Sequence, residues 1–163
     1  MEFGKCLCGE IEYSFDRSKV ISAHHCHCKD CQRATGSGKA TIIIMSKKYF
    51  AVNQDPKFFE VQGEQGNHVV RGFCPNCGSG MFSYLKEHPN MVFVKAGTLN
   101  DSSWLKIDSN FFTDSSCDWN RPVEGVKNHN ANPGLASNLM MAIKSLIKYC
   151  LLYTSDAADD TCC

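Results

Sequence analysis

At 163 residues the chain has room for one domain with a buried core and little room for two. Hydrophobic residues make up 43%, an ordinary share for a globular protein, and 17 basic side chains cancel 17 acidic ones. That balance removes any electrostatic ground for general nucleic-acid or membrane-surface binding.

In chain order, residues 1–5 carry no apolar stretch of the secretory kind. Apolar runs such as residues 41–45 fall far short of the roughly 20 residues that a spanning helix needs. A reducing, cytoplasmic setting is therefore expected, in which cysteines spaced as pairs bind metal more often than they form structural disulfides. Residues 10–15 alternate polar and apolar side chains, the period of a half-buried strand. Residues 39–45 read as a buried strand, and residues 57–61, 67–72, 81–85 and 91–95 as further short strands. Turns are expected at Gly63, Gly66, residues 76–78, residues 88–90 and Gly97. Short strands so closely spaced predict a mainly β domain.

Two helical pieces are expected. One is a short turn or helix over Lys29–Thr35, directly after a cysteine cluster. The other spans residues 137–149, where Leu139, Met140, Ile143, Leu146 and Ile147 share one face for core packing. Residues 128–134 read as a loop. Residues 150–160 resemble the translation of a sequencing-library transposon adapter, so residues 150–163 are set apart as an artefactual tail, and Cys150, Cys162 and Cys163 are given no function. Without that tail three aspartates and no bases disappear, leaving a net charge of about +3 that suits an anionic small substrate. The chain divides accordingly into a zinc-binding domain over residues 1–134, a helix over 135–149 and the tail.

Three cysteine clusters remain: Cys6 and Cys8; Cys26, Cys28 and Cys31; Cys74 and Cys77. Four thiolates close a tetrahedral structural zinc site, whereas three leave the open fourth position of a catalytic one. Seven thiolates divide naturally as four plus three. The compact middle cluster supplies the three, and Cys6, Cys8, Cys74 and Cys77 tie the first strand to a distant hairpin, with Gly9 and Gly78 where the backbone must bend. Other readings stay open at this point. His25 or His27 can complete the middle cluster into a closed site, and a lone Cys-x-x-Cys can be a redox pair. Cys117 stands alone as a structural thiol.

In this order, Cys6-x-Cys8-Gly9, Cys26-His27-Cys28-x-x-Cys31, Ala34-Thr35-Gly36-Ser37, Phe73-Cys74-x-x-Cys77-Gly78-Ser79 and Val94-Lys95-Ala96-Gly97-Thr98-Leu99 resemble the glutathione-dependent formaldehyde-activating enzyme family, which includes the centromere-protein-V relatives. The resemblance covers about residues 3–120. Residues 104–108 lack the proline expected there, and within 115–119 only Trp119 matches. It implies a mainly β, β-tent-like fold around a structural zinc on Cys6, Cys8, Cys74 and Cys77. It also implies a second Zn²⁺ with an exchangeable position on Cys26, Cys28 and Cys31. The activity implied is that of a carbon–sulfur lyase joining a thiol, glutathione in the founding reaction, to formaldehyde.

Within that expectation His25 or His27 serves as proton donor to the developing alkoxide, and Lys29 or Arg33 as a contact for a glutathione carboxylate. The alternative is a non-catalytic zinc-binding module serving protein interaction. A nucleic-acid reading lacks support, because Lys47-Lys48 is the only basic doublet.

Overall fold

Alternating side chains decide which strands enclose the core. The computed structural model describes residues 1–133 together with Ile143. The rest of the helix expected over residues 137–149, and the tail at 150–163, lie outside the described residues. Within them run β1 (Glu2–Lys5), β2 (Glu12–Phe15), β3 (Val20–Cys26), α1 (Lys29–Thr35), β4 (Ala40–Ser46), β5 (Phe50–Val52) and β6 (Lys57–Gln62). There follow β7 (His68–Phe73), β8 (Gly80–Leu85), β9 (His88–Lys95), β10 (Ser109–Phe111) and β11 (Lys127–His129). The mainly β expectation holds, and the helix after the middle cysteines is the one expected.

The strands form two sheets. A three-stranded sheet has the order β1-β2-β5, and an eight-stranded sheet the order β11-β10-β3-β4-β9-β8-β7-β6. Pairings are antiparallel except at one edge, where β10 runs parallel to both β3 and β11. In the β4–β9 register, Ile43 lies opposite Val94 and Met45 opposite Val92, so buried side chains meet across the ladder on one face. Tyr13 and Phe15 of β2 join them from the smaller sheet, along with Met81 and Phe82 of β8. The core lies between the two sheets.

Two features differ from the sequence expectation. The turn expected at residues 88–90 is instead the start of β9, because Leu85 pairs with His88 and the chain reverses over Lys86 and Glu87. The Glu87 carboxylate accepts from His68 N at 3.0 and 3.1 Å and lies 2.8 Å from His68 Nδ1, which fixes that hairpin. Pro89 is tolerated because the β4–β9 ladder ends at Ser46–Met91, before any partner needs its missing N–H. The loop expected over residues 128–134 begins later than its Asn, Pro and Gly content suggests, because residues 128 and 129 belong to β11. Asn110 makes this possible: fully buried, its amide donates to Asn128 Oδ1 at 2.8 Å and to Val123 O at 2.9 Å.

Gly4 in β1 lies tight against Tyr13, its partner across the β1–β2 pair, and against the turn that follows β9. A Cβ there would run into the Tyr13 ring and stand 2.6 Å from Thr98 O. Tyr13 OH is itself 2.7 Å from Thr98 Oγ1, and burial raises its pKa to about 12. Gly4→Ala is expected to cost about 1–3 kcal/mol through overpacking, read as a lower urea midpoint at unchanged slope. The Tyr13 shift sets the sign of an alkaline effect. The unfolded chain ionises its tyrosine near pH 10 and the folded one does not, so this stability is complete below pH 10 and lost as pH rises towards 12. By pH 11 the wild type should have lost about 1.4 kcal/mol more than Tyr13→Phe, measured by urea unfolding at both ends of the range.

Candidate metal centres

Local turns deliver each sulfur. After β1, Gly9 at φ 79° lets its N–H reach Cys6 O at 3.1 Å, and Ile11 N donates to Cys6 Sγ at 3.3 Å. The second arm repeats the device, with Gly78 at φ 72° and its N–H 2.9 Å from Cys74 O. No atom lies within 4 Å of an added Cβ at either glycine, so the left-handed backbone, not space, calls for glycine. Ser79 joins the arms: its Oγ accepts from Leu7 N at 3.0 Å and lies 3.3 Å from Cys77 Sγ. The Ser79 hydroxyl, helped by its backbone N–H, lowers the Cys77 pKa to about 5. Cys6 and Cys8 sulfurs are 3.4 Å apart and Cys8 and Cys74 sulfurs 3.8 Å, and all four sulfurs lie within 4.8 Å of one another.

The second group forms where β3 meets α1. Cys26 ends β3, Cys28 is the N-cap of α1 with its Sγ accepting from Cys31 N at 3.4 Å, and Cys31 sits in the first turn. The Cys26–Cys28 sulfur separation is 3.5 Å, and the three sulfurs also fall within 4.8 Å of one another. All three residues are buried, packed with Ala40, Ile42 and Phe112. β10 holds the end of β3 in place, Phe111 O accepting from His27 N at 2.9 Å. Phe112 then takes the left-handed conformation, φ 57°, which is costly for a non-glycine residue. That turn brings Ser115 O onto α1, where it accepts from Gln32 Nε2 at 2.7 Å and Lys29 Nζ at 3.2 Å.

Both donor sets fit zinc. Tetrahedral Zn–S bonds of ~2.3 Å space sulfurs about 3.8 Å apart, close to the separations of 3.4, 3.5 and 3.8 Å found here. A disulfide needs ~2.05 Å, and the eight described cysteines are free thiols. Charge points the same way. Cys26 and Cys28, then Arg71, hold the Cys31 thiol down to about 3, while Cys28 and Cys31 push the Cys26 thiol far above its usual range. Without a cation, the three buried sulfurs cannot all ionise.

The histidines stand apart from both groups. No histidine nitrogen joins either set of sulfurs at that spacing among the described residues. His27 is fully buried, and His25 Nδ1 lies 3.1 Å from Thr41 Oγ1. Lys29 spends its ammonium on Gln32 and Ser115, and the largely exposed Arg33 faces Asp30 at 4.0 Å. The cations that do interact with the trio are Arg71 and Lys95, both felt by Cys31. Lys95 stands in one of the quoted motifs, whereas Arg71 sits inside a strand pattern and gave no signal. Cys117 Sγ donates to Gln32 Oε1 at 3.5 Å, a local structural contact.

A family model described as glutathione-dependent formaldehyde-activating enzyme matches residues 1–115. No curated protein matches the chain. Among solved structures, the crystal structure of a Rhodobacter sphaeroides structural-genomics target is similar at 18% identity and a TM-score of 0.49, over 63% of this chain and 91% of that one. Among the described residues no helix is long and apolar enough to cross a membrane.

Zinc bound at both groups is expected to protect seven of the eleven cysteines from a thiol reagent in the native chain. Chelation should release the seven, and protection of four or fewer would mean that the trio holds no metal.

Proposed function

Because the chain belongs to the glutathione-dependent formaldehyde-activating enzyme family, we propose that it is a zinc-dependent enzyme of the carbon–sulfur lyase type, joining a small thiol such as glutathione to formaldehyde. The observation that carries this reading is the unequal size of the two sulfur groups, one of four and one of three. Cys6, Cys8, Cys74 and Cys77 are assigned a structural zinc, and Cys26, Cys28 and Cys31 a catalytic one. Zinc held by three thiolates supplies an exchangeable position that keeps an incoming thiol ionised at neutral pH.

The residues of the chain prepare for that position. Cys28 holds its sulfur towards the Cys31 N–H, Cys26 is fixed by the β3–β10 pairing, and Ala40, Ile42 and Phe112 pack against the trio and limit the approach of water. In the condensation the sulfur–carbon bond forms as the carbonyl π bond opens, and the thiol proton ends on the new hydroxyl. No oxidant or reductant is consumed, and the product is the S-hydroxymethyl thiol. The catalytic unit is assigned to residues 1–134, and the setting to the cytoplasm, where thiols are kept reduced.

Two variants separate the roles. Cys28→Ser is expected to keep a cooperative fold and one zinc per chain, with condensation of glutathione and formaldehyde reduced to the spontaneous rate. Cys77→Ser should instead lose cooperative unfolding, because metal binding at a structural site is folding free energy. Equal loss of fold in both variants would overturn this division. A wild type with both sites loaded and no acceleration of the condensation would favour a zinc module serving protein interaction.

A further inference from the structure

A cleft of about 460 Å³ opens between the C-terminal end of α1, the start of β4, the end of β9 and residues 78–80. That volume lies in the range of small-molecule sites. Its polar lining consists of Lys39, Lys95 and the hydroxyl-bearing Thr35, Thr41, Ser79 and Thr98, and none of the described residues lining it is acidic. We infer that this cleft binds the carboxylate end of the thiol substrate, with Lys95 and Lys39 as its cationic contacts. The inference rests on the proposed function and adds how the thiol is selected.

Position is the first support. Ala40 both lines the cleft and packs against the cysteine trio. Thr35 lies one helical turn beyond Cys31 and donates from Oγ1 to Cys31 O at 2.8 Å. The Lys95 ammonium is close enough to Cys31 for their charges to interact. A thiol with its sulfur at the trio therefore has this cleft beside it for the rest of the molecule.

Unused charge is the second. Lys95 is half-buried, and its hydrogen bond runs to a neutral acceptor, Ala34 O, at 3.1 Å. Lys39, also half-buried, reaches Arg121 O at 3.4 Å. Neither forms an ion pair among the described residues. An ammonium has three donors, so both lysines keep donors for a ligand. A partly desolvated cation with no carboxylate partner is unfavourable, and for Lys95 the repulsion from Arg71 outweighs the attraction of the Cys31 sulfur. An arriving carboxylate relieves that repulsion and makes charge-assisted hydrogen bonds. The third support is steric. A Cβ at position 80 would collide with Lys95 Nζ, so Gly80 clears the path along which the side chain crosses β8 into the cleft.

The probe is S-methylglutathione, which keeps both carboxylates and has no ionisable thiol. Its binding to the zinc-loaded full chain is measured by calorimetry, beside that of its dimethyl ester. The acid is expected to bind and the ester to bind at least about tenfold more weakly. Lys95→Gln should weaken the acid by about tenfold with zinc content unchanged, and Lys95→Arg should restore most of the affinity. No binding of the acid, or equal affinity for acid and ester, overturns the inference without needing any variant to fold. Equal affinity of the acid for wild type and Lys95→Gln overturns it as well. If the wild type binds the acid through Lys95 yet does not accelerate the condensation, the cleft assignment stands and the proposed reaction fails.

Discussion

Four sulfurs from distant parts of the chain, Cys6 and Cys8 on one arm and Cys74 and Cys77 on the other, meet with Cys8 and Cys74 66 residues apart in sequence. Everything between them, from β2 to the end of β7, is thereby closed into one loop. Closing a flexible loop of that length costs about 4 kcal/mol of chain entropy. The local hydrogen bonds at the arms are short-range and mostly backbone, so they shape each turn but do little to join the two. Besides the sulfurs themselves, the Leu7 N–H crosses between the arms to Ser79 and the Cys8 backbone N–H to Cys77. A shared ion is the interaction of the right strength and geometry to offset the closure. It would also fix β1 against the knuckle that leads into β8.

The middle trio poses a different electrostatic problem. Its three sulfurs are all buried, whereas Cys8 of the quartet is exposed and Cys77 half-buried. Buried thiols within one cluster suppress each other's ionisation, which the opposite displacements of Cys26 and Cys31 express. Cationic side chains, Arg71 and Lys95, are directed towards Cys31 from β7 and β9, although neither strand adjoins β3. The eight-stranded sheet thus brings positive charge from its far strands to sulfurs held at the β3–α1 junction.

Much of this was legible in the residues. β2 with its alternation, β4 with its continuous apolar run, and the helix over Lys29–Thr35 were visible because pattern and burial agree there. β3 was not, since His24 and His25 interrupt an apolar reading. Yet His24 is buried by satisfying both ring nitrogens with Ser22 and Ser109 hydroxyls, each at 2.8 Å. β10 and β11 were hidden for the same reason: their inward polar groups are partnered by residues remote in sequence, Asn110 with Asn128 among them, and such pairing leaves no local period. The seven cysteines announced themselves through type and spacing. The surrounding lysines did not, because a half-buried lysine and a solvated one look alike in sequence, while Lys29 and Arg33, near the cysteines in sequence, turn to local partners.

Burial also constrains how any substrate reaches the trio. Cys26, Cys28 and Cys31 are 6%, 9% and 6% exposed, so a thiol as large as a tripeptide cannot approach along an open face. Phe112, held in a left-handed turn and anchored through Ser115 to α1, covers one side, and Ile42 packs on another. The side bordered by Ala40 leads to the cleft, whose far wall is the Gly78–Gly80 segment of the four-sulfur knuckle. On the proposed function the four-sulfur group would therefore do more than hold strands together: it would set the position of a wall past which a thiol must come. On that reading, loosening the knuckle would change access to the trio without touching any of its three sulfurs, so the two sulfur groups, though separate, would bear on one path.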